Sequence, residues 1–246
     1  MIPTAPGEIA VAGEPRRGEY VDIEGLRVFV DLDRYSPLMI DILRQGIYEG
    51  AERHMLRRLL APGDRVIEIG SAIGVVGMVC ASIVGPESVL CIEGNPDLVR
   101  DAEANHRANN LSITTKNAIC KNELYWAGPR ERADFFIARD FWASSLARSD
   151  QTVATASVPV LCFEREVREF RANVLICDIE GGENELLELA NLDLIDKIIL
   201  EVHFGIVGVA AVNRLVRKIV RDGFSIDLTS TAGQVASFYR GLAPDW

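Results

Sequence analysis

The chain has 246 residues and a formal net charge of −10, and hydrophobic residues make up 48% of it. This balance is typical of a globular protein with enough apolar material for a large core, and it argues against extended disorder. Binding to a nucleic-acid backbone depends on clustered Lys and Arg, so the acidic balance also argues against a nucleic-acid partner.

Residues 1–18 are rich in Pro, Gly and Ala and show no hydrophobic period. They are therefore predicted to form a flexible tail ahead of a single domain, residues 19–246. The same residues lack the basic start and the apolar core of a signal peptide.

The domain is predicted to begin with an extension of residues 19–60. Residues 20–30 alternate around Gly25, which indicates a small antiparallel hairpin. Between residues 37 and 60 the apolar positions fall near helical spacing, and this predicts two helices.

From residue 61 onward, short apolar strands alternate with helical segments. The apolar strands are residues 66–69, 89–92, 174–177 and 197–202. Strands that are apolar on both faces belong to parallel sheets covered by helices, so residues 61–246 are predicted to form an α/β Rossmann-like core. Residues 224–239 are typical of a terminal hairpin, which predicts an antiparallel strand at one edge of the mostly parallel sheet.

This alternation breaks down in residues 119–160, which are predicted to be an insertion. The segment and its surroundings are rich in aromatic side chains: Trp126, Phe135, Phe136, Phe141 and Trp142. They could form an apolar or sugar-stacking wall over a cleft, or a satellite packing cluster.

The five cysteines have no CxxC spacing, which indicates free thiols rather than disulfides or a zinc site. No apolar run reaches the roughly 18 residues that suggest a membrane span. A cytoplasmic protein without a membrane partner is expected.

The first apolar strand ends in the run VIEIGSAIGVVG, residues 66–77. Gly70 would open a tight turn, and Gly74 would stand where a helix presents unpaired N–H groups. In dinucleotide sites a GxGxxG pattern at this place holds a pyrophosphate. Here Glu68 already stands on the strand, and a carboxylate repels phosphate but suits the cationic methionine end of S-adenosylmethionine. The pattern therefore favours this methyl donor over NAD.

The second apolar strand ends at Glu93 in the run VLCIEGNP. A carboxylate about 20 residues after the glycine turn can accept hydrogen bonds from ribose hydroxyls. Asn117 and Ala118 follow a weaker third strand and would lie beside the adenine. For Glu93 alone, the alternative is an acidic surface residue at the start of a turn.

Two later strands end in the motifs CDIEGGE and LEVH. Side chains alternate along a strand, so Asp178 and Glu180 share one face, and Glu201 and His203 do likewise. If the strands are neighbours, all four gather at the carboxyl end of the sheet, where ligands bind in open α/β folds. The alternative is that Glu180 caps the next helix and His203 bonds a loop carbonyl.

In order and spacing, the glycine turn, EGNP, DIEG and EVH resemble the motifs of FkbM-type methyltransferases, over approximately residues 46–204. The resemblance implies a class I methyltransferase sheet, S-adenosylmethionine as the donor and O-methylation of a hydroxyl on a sugar or natural product. The expected partner is then a small-molecule acceptor.

The resemblance also implies a donor pocket, which Tyr48 and Glu49 would close. Its lining residues would be Glu68, Gly70, Ser71, Gly74, Glu93, Gly94, Asn95 and Asp178. The chain has Ser71-Ala72 where the family often has Asn or Asp, and EGNP where the family has EPNP.

A hydroxyl acceptor must lie near the methyl group and lose a proton. His203 is expected to take this proton because imidazole titrates near neutral pH, and Asp178 is the second candidate. Glu180 or Glu201 would orient the base or the acceptor. Together the four could instead bind Mg²⁺, but proton transfer is favoured and no metal site is predicted.

Two other functions stay open. An NAD-dependent oxidoreductase would use the same sheet but needs the missing phosphate-binding glycines. A non-catalytic S-adenosylmethionine-binding domain would keep the donor pocket without activity. The sequence does not define the oligomeric state, and a homodimer stays open as a partner.

Overall fold

The structure is a computed structural model that describes residues 7–11, 14–140 and 143–241. Phe141 and Trp142, two members of the predicted aromatic wall, lie outside the described residues. Among the described helices, none has the length and apolar content to cross a bilayer.

The N-terminal region is a three-stranded antiparallel sheet. Its strands are β1 (Gly7–Val11), β2 (Glu14–Ile23) and β3 (Leu26–Asp31). The pair β2–β3 confirms the predicted hairpin. The prediction of a flexible tail is wrong for residues 7–11 and 14–18, because Gly7 pairs with Gly18 and the register continues to Val11 and Glu14. Residues 1–6, 12 and 13 of that predicted tail lie outside the described residues. Antiparallel pairing uses backbone groups, so it can form where the sequence has no hydrophobic period.

Two helices follow, α1 (Pro37–Arg44) and α2 (Gly50–Leu59). The Ser36 side chain caps α1 by accepting a hydrogen bond from the Met39 amide. Met39 and Leu43 pack with the hairpin and with the first helix of the core, and Tyr48 belongs to the same buried cluster. This packing fixes the segment between α1 and α2 against the core.

The remaining elements alternate along the chain around a central sheet. Up to residue 117 they are β4 (Val66–Ile69), α3 (Val75–Val84), a 3-10 turn (Pro86–Ser88), β5 (Val89–Glu93), α4 (Pro96–Ala108) and β6 (Thr114–Asn117). Next come β7 (Ile119–Lys121), β8 (Arg132–Ala138), β9 (Thr152–Cys162) and α5 (Phe163–Phe170). The last are β10 (Val174–Cys177), α6 (Glu183–Leu187), β11 (Lys197–Glu201), α7 (Phe204–Val207), α8 (Val209–Arg221), β12 (Phe224–Ala232) and β13 (Val235–Arg240).

The central sheet has seven strands in the order β12–β13–β11–β10–β4–β5–β6. The five from β11 to β6 are parallel. Apolar clusters cover both faces, and all four residues of β4 are buried. The predicted α/β, mostly parallel Rossmann-like sheet is therefore confirmed.

The position of the antiparallel strand differs from the expectation. β13 is the antiparallel strand, and it lies between β11 and β12 rather than at the edge. The second strand of the terminal hairpin, β13, pairs with β11. The edge is therefore left to β12, which runs in the same direction as the parallel strands.

Part of the predicted insertion forms a separate three-stranded sheet, β7–β9–β8. Trp126 and Phe135 pack there with Ile119, Val158 and Val160. These two aromatic residues thus belong to a satellite packing cluster.

Candidate active site

A cleft opens at the carboxyl ends of β4 and β10, where the winding of the sheet changes direction. It is lined by Tyr48, Glu49, Glu52, Glu68, Ile69, Gly70, Ser71, Ala72, Val75, Val76, Ile176 and Asp178. Six of the residues predicted for the donor pocket are among them: Tyr48, Glu49, Glu68, Gly70, Ser71 and Asp178.

The strand register brings the two predicted motifs together. Cys177 pairs with Ile69 on one side and with Leu200 on the other. The residues that follow these three in sequence are Asp178, Gly70 and Glu201, so they lie side by side at one edge of the sheet.

Gly70 is required by this close approach. Its φ is +87°, and a Cβ placed on it would lie 1.6 Å from the backbone carbonyl oxygen of Asp178. Its amide donates to the carbonyl of Ile92 at 2.9 Å. Only glycine combines this backbone conformation with such close contact.

Gly74 has a packing role. It precedes α3 with φ +80°, and a Cβ there would lie 2.6 Å from Nε2 of His106 on α4. It does not line the described cleft. His106 is buried, and burial lowers its pKa to about 4.

Glu68 lies on β4 and is only 3% exposed. The Cys91 thiol donates to its Oε2 at 3.2 Å. Burial raises the pKa of Glu68 to about 8. The hydrogen bond from Cys91 lowers this pKa, and the charge of Glu93 raises it further. Glu68 is therefore largely protonated at neutral pH unless a cation lies beside it, because a nearby positive charge favours the carboxylate.

Two further acidic residues, Glu49 and Glu52, line the cleft together with Glu68. Burial raises the pKa of Glu49, and the charges of Glu52, Glu201 and Glu68 add to this, while a hydrogen bond with Tyr48 opposes it. Glu52 was missed by the sequence reasoning. Its spacing of three residues from Glu49, at the start of a predicted helix, was the available signal.

Glu93 holds the glycine turn. Its carboxylate accepts hydrogen bonds from the backbone amides of Ala72 at 2.8 Å and Asn95 at 2.6 Å. Burial raises its pKa, and these backbone hydrogen bonds oppose the rise. Glu93 is buried and does not line the described cleft, so contact with a ribose stays a prediction.

The neighbours of Glu93 fix the same turn. The Asn117 amide donates to the carbonyls of Glu93 and Gly94 at 2.9 and 3.0 Å, and the Ala118 amide donates to Glu93 at 3.0 Å. Asn95 caps α4 through a hydrogen bond from Asp97. None of these residues lines the described cleft, and their contact with adenine also stays a prediction.

His203 is the centre of the other predicted cluster and is 9% exposed. Its Nδ1 lies 3.0 Å from Oε1 of Glu183. Its Nε2 lies 3.4 Å from Glu180 and 3.6 Å from Asp178. Burial lowers the pKa of His203, but the hydrogen bond and charge of Glu183, with Glu180 and Glu201, outweigh this and raise it above 6.5.

Glu183 was also missed by the sequence reasoning. It begins α6, and its Oε1 also accepts from the amides of Ile179 and Gly181. It thus connects the DIEGG loop to the histidine. The alternatives of a Glu180 helix cap and a His203 bond to a loop carbonyl are not seen, since α6 has no side-chain cap and Nδ1 faces Glu183.

The acidic members of this cluster repel one another. The pKa of Asp178 is raised by burial and then by Glu49, Glu201, Glu180 and Glu183. Burial likewise raises the pKa of Glu180 to about 7. Ligand atoms of Asp178, Glu201 and His203 all lie within 4.8 Å of one another, the arrangement on which the Mg²⁺ alternative depends.

Residues 48–128 match the family model of protein-L-isoaspartate(D-aspartate) O-methyltransferase. The matched segment runs from Tyr48 through the glycine turn and β6. Among proteins of curated function, none matches this chain in sequence.

Several solved structures are similar to the chain at low identity. The M. jannaschii tRNA m1G37 methyltransferase is 13% identical with a TM-score of 0.49, and the match covers 93% of this chain and 56% of that one. M. jannaschii TYW2 in complex with AdoMet is 16% identical with a TM-score of 0.47, covering 91% and 86%. Precorrin-6y C5,15-methyltransferase from Geobacter metallireducens is 14% identical with a TM-score of 0.46, covering 87% and 98%.

The chain thus spans little more than half the length of the first of these structures. Membership of the FkbM-type family stays a prediction. The central sheet is mostly parallel and Rossmann-like, and the segment that carries the glycine turn is similar to a methyltransferase family.

Proposed function

We propose that the protein is an S-adenosylmethionine-dependent methyltransferase. One observation carries the proposal: the glycine turn closes on Asp178 beside three carboxyl groups, those of Glu49, Glu52 and Glu68. Carboxyl groups crowded in a buried cleft favour a ligand that brings positive charge. The methionine end of the donor carries an ammonium group and a positively charged sulfur.

The polar lining also fits the anionic group of the same ligand. Ser71 is 3% exposed and lines the cleft, and its Oγ makes no hydrogen bond with the described residues beyond a weak approach to the Cys91 thiol. This hydroxyl would donate a hydrogen bond to the donor's carboxylate. When bound, S-adenosylmethionine supplies a methyl group attached to a positively charged sulfur.

The second part of the proposal is O-methylation of a small-molecule hydroxyl, with His203 as the base. Nε2 would accept the hydroxyl proton, while Glu183 holds Nδ1 and stabilises the imidazolium that results. This is the division of roles in catalytic pairs where a carboxylate orients a histidine. Asp178, Glu180 and Glu201 would position the acceptor oxygen.

Calorimetry tests the proposal directly. S-adenosylmethionine and S-adenosylhomocysteine should bind and raise the unfolding temperature, whereas NAD should not. No heat and no thermal shift with either sulfur compound would exclude the proposed donor. Binding of NAD would favour the oxidoreductase. Donor binding with no labelled methyl transfer to any of a panel of alcohols would favour a non-catalytic binding domain.

The protonation of His203 gives a prediction that needs no acceptor. In a pH titration followed by NMR of the imidazole signals, His203 should titrate above pH 6.5, and His106 at about pH 4. Because the pKa of His203 is raised, its contribution to stability is complete below about pH 6.5 and is lost as the pH rises through the folded-state value.

Replacing the orienting carboxylate should move this titration. In Glu183→Gln the pKa of His203 should fall, because burial remains and the negative charge is gone. Glu185→Gln, an exposed residue on the same helix, is the matched control and should leave it unchanged. An unshifted His203 signal in Glu183→Gln would contradict the orienting role.

A further inference from the structure

The acceptor side of the proposed active site carries a cluster of acidic side chains. We name the three carboxyl groups Asp178, Glu180 and Glu201 the acceptor wall. Asp178 and Glu180 are 27% and 21% exposed at the side chain, and Glu201 is partly exposed. All three therefore remain reachable from solvent beside His203.

No Lys or Arg side chain is among the groups that act most strongly on Asp178 and Glu180. The charges with the largest effect on Asp178 are those of Glu49, Glu201, Glu180 and Glu183, all acidic. For Glu180 the opposing charge is that of His203. A histidine that serves as a base is neutral when the acceptor binds, so it does not neutralise the wall.

Arg53, a basic side chain next to the cleft residue Glu52, binds groups outside the acceptor wall. Its guanidinium lies 2.7 Å from Glu24 and donates to the carbonyls of Tyr48 and Gly46 at 2.9 and 2.7 Å. The donor would bring one net positive charge, and Glu49, Glu52 and Glu68 already surround the methionine end of its cleft. An acceptor that brings its own positive charge would therefore favour the ionised forms of Asp178 and Glu180.

An apolar lip adjoins the acceptor wall. It consists of Phe204, Ile206 and Val209, which are 38%, 61% and 60% exposed. Phe204 directly follows His203, and a Cβ on Gly181 would meet Ile206 at 2.7 Å, so the lip also contacts the loop that carries Glu180. An apolar body placed on this lip would lie next to the carboxyl groups.

We propose that the methyl acceptor is an amino alcohol: a hydroxyl compound with an ammonium group that faces Asp178, Glu180 and Glu201 and an apolar body that rests on the lip. Acceptors that carry phosphate or carboxylate groups near the reacting hydroxyl are disfavoured by the same wall. This inference rests on the proposed methyltransferase function and names the substrate class of that site.

Three compounds that share a 1,4-disubstituted cyclohexane ring with a hydroxyl group test the charge preference. They are 4-aminocyclohexanol, 1,4-cyclohexanediol and 4-hydroxycyclohexanecarboxylate, which are cationic, neutral and anionic at neutral pH. Each is titrated by calorimetry into the full chain saturated with S-adenosylhomocysteine. The amine should bind about tenfold more tightly than the diol, since hydrogen bonds to charged groups are stronger than neutral ones. The carboxylate should show no binding.

Variants assign the preference to the acceptor wall. Glu180→Gln with Glu201→Gln should reduce the advantage of the amine over the diol to about twofold or less, while S-adenosylhomocysteine still binds. The control is Glu103→Gln, on the exposed face of α4, which should keep the wild-type preference.

The outcomes separate this inference from the proposed function. Failure of S-adenosylhomocysteine to bind overturns the methyltransferase proposal itself. If it binds but the diol equals the amine, the carboxylate binds best, or none of the three binds, the amino-alcohol acceptor is wrong and the methyltransferase proposal stands.

Discussion

Replacing His203 with alanine is expected to reduce methyl transfer by about 10²–10⁴-fold, the usual contribution of a general base. Donor affinity should stay close to that of the wild type, because His203 does not line the donor cleft. The measurement is single-turnover transfer from labelled S-adenosylmethionine to an acceptor alcohol found by screening, with donor affinity taken from calorimetry.

Two controls make this experiment specific. His54→Ala, an exposed histidine on α2, should retain full turnover. Transfer by the wild type that survives chelation would exclude the Mg²⁺ alternative at Asp178, Glu180, Glu201 and His203. Unchanged turnover in a folded His203→Ala protein would show that another group, with Asp178 the next candidate, accepts the proton.

Replacing Gly70 with alanine should abolish donor binding and destabilise the protein by about 2–5 kcal/mol. A side chain at positive φ costs roughly 1–2 kcal/mol, and overpacking against neighbouring structure adds about 1–3 kcal/mol. Here the added Cβ would meet a backbone carbonyl at 1.6 Å, so β4 and β10 must separate at the point where the cleft forms. Denaturant unfolding and calorimetry with S-adenosylhomocysteine measure the two effects.

Gly63→Ala is the matched control for this substitution. Gly63 has φ +97°, and nothing lies within 4 Å of an added Cβ. It should therefore show only the conformational cost, roughly 1–2 kcal/mol, and should keep donor binding. A Gly70→Ala protein no less stable than Gly63→Ala, and still able to bind the donor, would show that the close approach to Asp178 is not needed.

Local patterns in the sequence were sufficient for the architecture of the core. Runs such as VIEI and VLIC are apolar on both faces, and a strand of that kind is stable only when helices cover both sides of the sheet. The positions of Gly70 and of the carboxyl groups after the strands could also be predicted, because they depend only on where each strand ends. In a parallel sheet every strand ends at the same edge, so residues far apart in sequence gather without any knowledge of their contacts.

Contacts between side chains far apart in the chain could not be predicted in this way. Glu183 reaches His203 across 20 residues only because β10 and β11 are neighbours and α6 begins beside the histidine. The ring of Phe135 packs over Gly94, where a Cβ would meet it at 2.6 Å, only because the inserted sheet rests on that turn.

The sequence by itself therefore determined the type of sheet, its glycine turn and the carboxyl groups at the strand ends. The tertiary structure decided which partners these groups have: His203 contacts Glu183, Glu93 binds backbone amides, and β13 rather than β12 lies beside β11. The physical reason is that periodicity and strand ends are local properties of the chain, whereas register, strand order and side-chain pairing depend on how distant segments pack together.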